Sequence, residues 1–271
     1  MRHTFTIALW LALGLSLAFL MVPVVAVFLQ VPPGELVDHV RGPVVRDAVI
    51  VSLRSNVIAD VIIVVVGTPA AYLLASHRAF PGRRVLVTLL ELPLVLPPAV
   101  AGIGLLAAFG RSGLLGGELS TLGIHVPFTE LAVVLAIVFV AGPFYLRQAI
   151  ASFEAVDPRM VAAARTLGAG PGRAFARIVL PLAGGGLAAG WALAFARGMG
   201  EFGATLIFAG SLPGVTQTLP LAVYAQLGQD FGTALAIGAL LVVISAAILL
   251  AVKAVPVWDP TSSSTPVSRH R

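Results

Sequence analysis

The sequence predicts an all-α integral membrane protein with about six transmembrane helices. Of its 271 residues, 58% are hydrophobic and only 11% are charged, and the mean hydropathy is +1.00. A soluble domain of this length needs more charge than this to cover its surface. A helix crosses a bilayer with about 20 apolar residues. Runs of this kind lie at about 5–29, 48–76, 85–109, 128–150, 184–210 and 232–255.

These apolar runs favour helices, because none of them alternates between apolar and polar residues as a strand of a membrane barrel does. The first run, 5–29, has a signal peptide as its alternative interpretation. It is too long for the apolar region of such a peptide, and it ends in bulky residues. We therefore expect a membrane helix there as well.

The basic residues are distributed unevenly between the two sides of the membrane. With the N-terminus in the cytoplasm, twelve of them fall on the cytoplasmic side: Arg2, Arg78, Arg83, Arg84, Arg147, Arg159, Arg165, Arg173, Arg177, Lys253, Arg269 and Arg271. Only four fall outside, namely Arg41, Arg46, Arg54 and Arg111. Because cytoplasmic loops are enriched in Lys and Arg, we expect both termini in the cytoplasm. The net charge of +5 then reflects topology, and we expect no nucleic-acid partner.

We expect one transmembrane domain over residues 1–255, since its polar connections are too short for a second folded module. Residues 256–271 are rich in Pro, Ser and Thr and predict a disordered cytoplasmic tail. Cysteine is absent, which excludes disulfides and thiolate sites. The single lysine, Lys253, is followed by Ala254, so no phosphate-binding loop ending in Gly-Lys-Ser/Thr is present. We therefore expect no cofactor and no ATP hydrolysis by this chain.

The polar segment 154–183 contains the stretch AAARTLGAGPGRAFARIVLP, from Ala162 to Pro181. Its pattern predicts one helix that ends at Gly168 and Gly170, followed by a second short helix that Pro181 stops. The arginines of this segment form a polar face beside apolar side chains. The segment is interpreted either as a docking surface for a cytoplasmic partner or as an amphipathic helix on anionic lipid.

The third apolar run contains Pro93, Pro97 and Pro98 within six residues. Each proline removes a backbone donor and crowds the preceding turn, so the helix should break or kink strongly. Irregular backbone inside a membrane is tolerated only against protein or a water-filled cavity. Gly102 follows the break, where a new helix start would direct N–H groups towards an anion. The alternatives are a gate in a transport pathway and a simple packing kink.

The fifth run contains Arg197 and Glu201, four residues apart and predicted to share one helix face. Charges within a membrane helix usually pair or face water. The alternatives are a structural ion pair and an element of a gate, with nearby small residues allowing a close helix contact. The candidate pathway or gate residues are Pro93, Pro97, Pro98, Gly102, Arg197, Glu201, Gly203 and Thr205.

The polar segment resembles the EAA loop of ABC-importer permeases, in which a Gly is followed by nine free positions and then I-x-L-P. Gly168, Ile178, Leu180 and Pro181 fall in that register, whereas Ala162 stands where the family has Glu. The stretches LPLVLPPAVAGIGLLAAFGRSGLLG and GEFGATLIFAGSLPGVTQTLP resemble the molybdate and tungstate branch of these permeases, with sulfate permeases next nearest.

This resemblance implies a type I importer fold and a homodimer in a bacterial or archaeal inner membrane. It also implies two copies of an ABC ATPase subunit, which binds the ATP, and an extracytoplasmic molybdate-binding protein. The residues it assigns to coupling with the ATPase are Ala163, Ala164, Gly168, Ile178, Leu180 and Pro181. Glu154 and Asp157 are the candidates to replace the missing Glu.

We therefore expect a permease subunit that moves molybdate or tungstate into the cytoplasm with ATP hydrolysed by its partner. A sulfate or thiosulfate permease is the nearest alternative. A stand-alone anion channel or secondary carrier would not need so elaborate a cytoplasmic loop. An enzyme is disfavoured, because the five histidines are scattered and no pair has metal-ligand spacing.

Overall fold

The computed structural model describes the backbone of residues 2–254 and the side chains of residues 5–251. Every regular element in this range is helical, which confirms the all-α fold. The elements are α1 (Arg2–Leu29), α2 (Pro33–Val40), α3 (Pro43–Ser76), α4 (Arg83–Val95), α5 (Pro98–Phe109), α6 (Gly116–Thr121), α7 (Glu130–Glu154), α8 (Pro158–Thr166), α9 (Pro171–Ala174), a π segment (Phe175–Val179), α10 (Leu180–Met199), α11 (Gly203–Ala209), α12 (Leu219–Gln226) and α13 (Phe231–Ala254). The predicted tail 256–271 lies outside the described residues.

Five helical stretches within residues 2–254 are long and apolar enough to cross a membrane: Phe5–Leu29, Pro43–Ser76, Glu130–Glu154, Pro171–Met199 and Phe231–Ala251. The pair α4 and α5 gives a sixth span, in which the two helices meet at an angle of 114°. The prediction of about six membrane helices is therefore confirmed, with the third span sharply bent.

Helix α7 forms the centre of the bundle and packs against α3 on one side and α10 on the other. Tyr145 of α7 is almost fully buried, and its hydroxyl lies 2.6 Å from the Thr68 hydroxyl of α3. On the α10 side, a Cβ at Gly190 would lie 2.9 Å from the Gln148 Cβ of α7. Small residues are what allow membrane helices to approach this closely.

Helix α1 lies at the edge of the bundle, and its apolar window is 0% buried. It contacts α13, which also packs against the short helix α2. The His39 ring Nδ1 of α2 lies 2.9 Å from the Thr233 hydroxyl of α13. Asp230, just before α13, accepts hydrogen bonds from the Thr233 hydroxyl and N–H, and these bonds lower the pKa of its carboxyl.

The prediction that Pro181 stops a short helix is wrong. The helical backbone runs from Pro171 to Met199, and Pro181 lies in the first turn of α10. Just before it, the backbone widens into the π segment, where the Leu180 N–H bonds to the Phe175 carbonyl five residues back. In a regular α-helix a proline lacks the N–H that would bond to the carbonyl four residues back, and its ring crowds that carbonyl. A π turn replaces this hydrogen-bond pattern locally. Helix continuity at Pro181 therefore depends on the π segment.

The prediction of one helix over 184–210 is also wrong. Helix α10 ends at Met199, and the separate helix α11 begins at Gly203. Gly198 and Gly200 weaken the helix at this point, because glycine is among the poorest helix formers. The fifth span therefore contains a break, as the third one does.

The close contact of α7 with α10 can be tested with Gly190→Ala. The added methyl would meet the base of the Gln148 side chain at 2.9 Å, so backbone or side chain must shift. Overpacking of this kind costs about 1–3 kcal/mol, and thermal unfolding in detergent should show a lower transition temperature. Gly184→Ala is the matched control, because a Cβ there meets no atom within 4 Å. Equal stability of the two variants would contradict the packing described.

Candidate translocation gate and coupling loop

The third span breaks at Leu96 and Pro97, which both have extended ψ angles, of 132° and 133°. Each of these residues precedes a proline, and the proline ring disfavours the helical conformation of the residue before it. Pro98 then begins α5, where a missing N–H costs nothing. Pro93 lies within α4 and does not interrupt it. The predicted break is confirmed, and it is the Pro97–Pro98 pair that sits at it.

Helices α5 and α11 pack with almost no space between their backbones. A Cβ at Gly102 would lie 2.9 Å from the Ala204 carbonyl oxygen and 2.9 Å from the Ile207 Cβ. A Cβ at Gly203 would lie 2.8 Å from the Cβ of Pro98. Three predicted gate residues from two distant parts of the chain therefore meet at one contact. The broken halves of the third and fifth spans are joined there.

Glu201 lies in the break between α10 and α11, so Arg197 and Glu201 do not share one helix face as predicted. The two residues still pair, with Arg197 Nη2 at 2.7 Å from Glu201 Oε2. The other carboxylate oxygen, Oε1, accepts the Ala204 N–H at 2.7 Å. The Glu201 side chain is 1% exposed and that of Arg197 is 27% exposed. Glu201 therefore both caps α11 and neutralises the arginine that ends α10.

Thr205 of α11 is the remaining predicted pathway residue, and it is 1% exposed. Its hydroxyl has no hydrogen-bond partner among the described residues. Thr205 therefore lies next to the α5–α11 contact, facing the protein interior. The structure brings together Pro98, Gly102, Gly203 and Thr205, with the Arg197–Glu201 pair at the neighbouring break.

A buried polar stripe on α3 was not predicted from the sequence. Ser52, Ser55, Asn56 and Asp60 lie at positions i, i+3, i+4 and i+8, which share one helix face, and each is at most 3% exposed. The Asn56 amide donates to the Phe195 carbonyl of α10 at 3.1 Å. This hydrogen bond joins α3 to the last turns of α10, four residues before that helix ends at Met199. The signal in the sequence was the helical spacing of polar residues within an apolar run.

Ser52 of α3 provides a hydrogen-bond partner for the start of α12. Its hydroxyl oxygen accepts the Leu219 N–H at 2.7 Å, and this N–H belongs to the first turn of the helix. Within the membrane, such donors cannot be left to water. Helix α3 therefore supplies polar partners to two helix ends that lie more than 130 residues away along the chain.

In the polar segment, α8 begins at Pro158 after Asp157, whose side chain accepts the Arg159 N–H at 2.8 Å. The helix ends in a paired reversal, in which the Gly168 N–H bonds to the Arg165 carbonyl and the Ala169 N–H to that of Ala164. Gly168 has φ of +84°, a conformation that residues with a Cβ rarely adopt. The predicted reversal at Gly168 is confirmed. Gly170, with φ of −64°, instead precedes the next helix.

Four of the six residues assigned to coupling are exposed and two are partly buried. Ala163, Gly168, Leu180 and Pro181 are exposed. Ala164 and Ile178 are partly buried. Their accessibility is compatible with a docking surface.

Glu154 and Asp157 are each engaged within the chain itself. Glu154 forms an ion pair with Arg83 at the start of α4, and its backbone carbonyl accepts a hydrogen bond from Arg78 Nη2 at 2.7 Å. Arg83 Nε also donates to the Leu74 carbonyl at 2.9 Å. We call Arg83 and Glu154 the clamp. It attaches the polar segment to α4, and Asp157 caps α8, so neither carboxylate is free to replace the Glu missing at Ala162.

The described residues thus form a bundle of membrane spans with two broken helices and an exposed polar segment between α7 and α10, an architecture compatible with a membrane transport component. Residues 67–256 match the family described as "Binding-protein-dependent transport system inner membrane component". The chain belongs to this family, so it is a permease subunit of an ABC importer and a transport component. This finding confirms the resemblance noted in the EAA loop.

Among its relatives, the "Molybdenum transport system permease protein ModB" of Mycobacterium tuberculosis is 43% identical over 88% of this chain and 90% of its own. The "Probable transport system permease protein NifC" of Clostridium pasteurianum is 38% identical over 76% of this chain and 72% of its own. The "Sulfate transport system permease protein CysT" of Escherichia coli is 35% identical over 89% of this chain and 88% of its own.

Solved structures of importers share the fold. A chain of a bacterial ABC transporter that imports alginate has a TM-score of 0.68 at 14% identity, over 93% of this chain and 97% of that one. A chain of the MetNI methionine ABC transporter, in an inward-facing conformation, has a TM-score of 0.61 at 20% identity. It covers 79% of this chain and 96% of that one.

Glu201 has two roles that substitutions can separate. Glu201→Gln keeps an oxygen that can accept the Ala204 N–H but leaves Arg197 unpaired, whereas Glu201→Ala removes both interactions. Since a helix cap contributes about 1 kcal/mol, E201A should unfold at a lower temperature than E201Q. The double variant R197Q/E201Q should lose less free energy of unfolding than the sum of the losses in R197Q and E201Q. Strict additivity would contradict an energetic coupling of the pair.

Proposed function

We propose that this chain is the permease subunit of an ATP-driven importer that carries molybdate, or the closely similar tungstate, into the cytoplasm. The observation that supports this substrate is the 43% identity to the ModB molybdenum permease over 88% of the chain. A sulfate permease is the second candidate, because a sulfate-system relative is 35% identical over a similar length.

The complete transporter in this proposal is a homodimer of this chain with two copies of an ABC ATPase subunit. The chain's only lysine is not in a phosphate-binding loop, so ATP is bound by the separate subunit. A binding protein on the outer side delivers the oxyanion, in keeping with the description of the family. A solved alginate importer is likewise in complex with its own periplasmic protein.

The orientation follows from the arginines. Both termini and the polar segment 154–183 lie in the cytoplasm of an inner membrane, because most basic residues are on that side. In this orientation the exposed residues Ala163 and Gly168 face the ATPase subunit. The α5–α11 contact lies inside the membrane, where it gates the pathway.

Transport then proceeds by alternating access. Movement of the ATPase subunits displaces the polar segment, and the clamp between Glu154 and Arg83 passes this displacement to α4. Beyond the 114° bend, α5 moves together with α11, because Gly102 and Gly203 keep the two helices in contact. Interfaces packed this closely favour discrete arrangements over continuous deformation. The gate therefore opens and closes as one unit.

The substrate is tested by uptake of labelled molybdate into cells or proteoliposomes that contain the chain, its ATPase and its binding protein. Uptake should require ATP, and tungstate should compete with molybdate at a much lower concentration than sulfate does. Stronger competition by sulfate would replace the proposed substrate with the second candidate. Uptake that persists without the ATPase would indicate a channel or a secondary carrier.

Coupling through the polar segment is tested with Gly168→Val. A Cβ at φ of +84° costs about 1–2 kcal/mol, which should distort the end of α8. We expect less ATPase subunit to co-purify with G168V. Gly170→Val is the matched control, because Gly170 has φ of −64° and a Cβ there meets no atom within 4 Å. If both variants retain the ATPase equally, the Gly168 reversal is not part of the docking surface.

A further inference from the structure

A cavity of about 610 Å³ lies where the end of α3 meets α7, α8 and the π segment. Its walls are largely apolar and include Tyr72, Phe153 and Val179. The rings of Tyr72 and Phe153 pack edge to face, with their centroids 5.5 Å apart. Tyr72 is one turn from Ser76, where the membrane-spanning helix α3 ends. The cavity therefore lies at the end of a membrane-spanning helix, and aromatic side chains are enriched where such helices leave the membrane.

The polar rim of the cavity is positively charged. Arg78 and Arg165 both line it, whereas no Asp or Glu is among its lining residues. Among the residues that the structure describes, the Arg78 guanidinium donates only to the carbonyl oxygens of Ala75 and Glu154. The Arg165 guanidinium has no hydrogen bond or ion pair among the described residues. Neither positive charge therefore has an anionic partner within residues 5–251.

The carboxylates beside the cavity are already engaged, since that of Glu154 is paired with Arg83 in the clamp and that of Asp157 caps α8. Ala162 also lines the cavity, and this is the position at which the resembling loop carries Glu. A carboxylate at residue 162 would share the cavity with both arginines. In this chain the methyl group of Ala162 leaves that place to an external anion.

We propose that this cavity binds the phosphate group of an anionic phospholipid such as phosphatidylglycerol. Arginine binds phosphate oxygens with paired, charge-assisted hydrogen bonds, and basic pockets between membrane helices bind anionic headgroups. The apolar wall of Tyr72 and Phe153 gives the acyl chains a surface to cover. A free inorganic oxyanion would leave that wall exposed, so the combination of charge and apolar surface favours the lipid.

The test measures phospholipid bound to the full-length protein by native mass spectrometry. Phosphatidylglycerol and phosphatidylcholine are offered at equal concentrations. Wild-type protein should retain the anionic lipid preferentially. Arg165→Gln should reduce the bound phosphatidylglycerol about fivefold, the effect expected of one arginine near an anionic surface. Ala162→Glu should reduce it at least as much, because it adds a carboxylate inside the site.

Arg159→Gln is the matched control, because Arg159 is exposed on the same helix and does not line the cavity. It should bind phosphatidylglycerol as the wild type does. Thermal unfolding of each variant checks whether A162E is folded. If A162E does not fold, R165Q still tests the proposal, because Arg165 is exposed and its replacement should not disturb the fold. Bound lipid is measured instead of uptake, so the result does not depend on the transported substrate.

Three results would overturn the proposal. One is an equal loss of phosphatidylglycerol from R159Q and R165Q, which would indicate nonspecific attraction. Another is displacement of the lipid by inorganic phosphate or molybdate at millimolar concentration, which would make this a site for free oxyanions. The third is loss of all phosphatidylglycerol when the ATPase subunit assembles with the chain, which would make the cavity a protein-docking surface.

Discussion

The Glu201 carboxylate holds together the two halves of a broken membrane span. One oxygen accepts the Ala204 N–H that begins α11, and the other lies 2.7 Å from the guanidinium of Arg197 near the end of α10. Inside a membrane, a helix can break only where the chain itself satisfies the freed polar groups. Asn56 of α3 also anchors the end of α10, because its amide donates to the Phe195 carbonyl. With these partners in place, a short helix can stand free of α10 and pack closely against α5.

The contact of α5 with α11 joins the broken third span to the broken fifth span. The Pro97–Pro98 pair turns the third span through 114°, and the turn brings Gly102 against the backbone of α11. At the other end of the third span, Arg83 attaches α4 to Glu154, where the polar segment starts. A continuous path of packed and paired groups therefore runs from the accessible surface of the polar segment to the interior of the membrane. Such a path is what an importer needs if a separate ATPase is to move its gate.

The sequence predicted those features that depend on local chemistry. The lengths of the apolar runs indicated six spans, and the adjacent prolines indicated the bend. Gly168 indicated a chain reversal, because a reversal of this kind requires a backbone conformation that glycine adopts easily. The sequence did not predict the break after Met199. Arg197 and Glu201 are four residues apart, and this spacing fits an unbroken helix equally well. The contacts around the break are also partly long-range, since Asn56 bonds to Phe195 of α10 from 139 residues away. The continuity at Pro181 was missed for a similar reason, since a π turn leaves no simple pattern in the sequence.

In the proposed mechanism, the clamp transmits movement from the polar segment to the gate. Arg83→Gln tests it most directly in the assembled transporter, with Arg84→Gln as control, because the adjacent Arg84 is exposed and makes no ion pair among the described residues. The quantity to measure is labelled oxyanion taken up per ATP hydrolysed. We expect R83Q to assemble and hydrolyse ATP while its uptake per ATP falls well below that of R84Q. Equal coupling in the two variants would contradict a role for the clamp in transport.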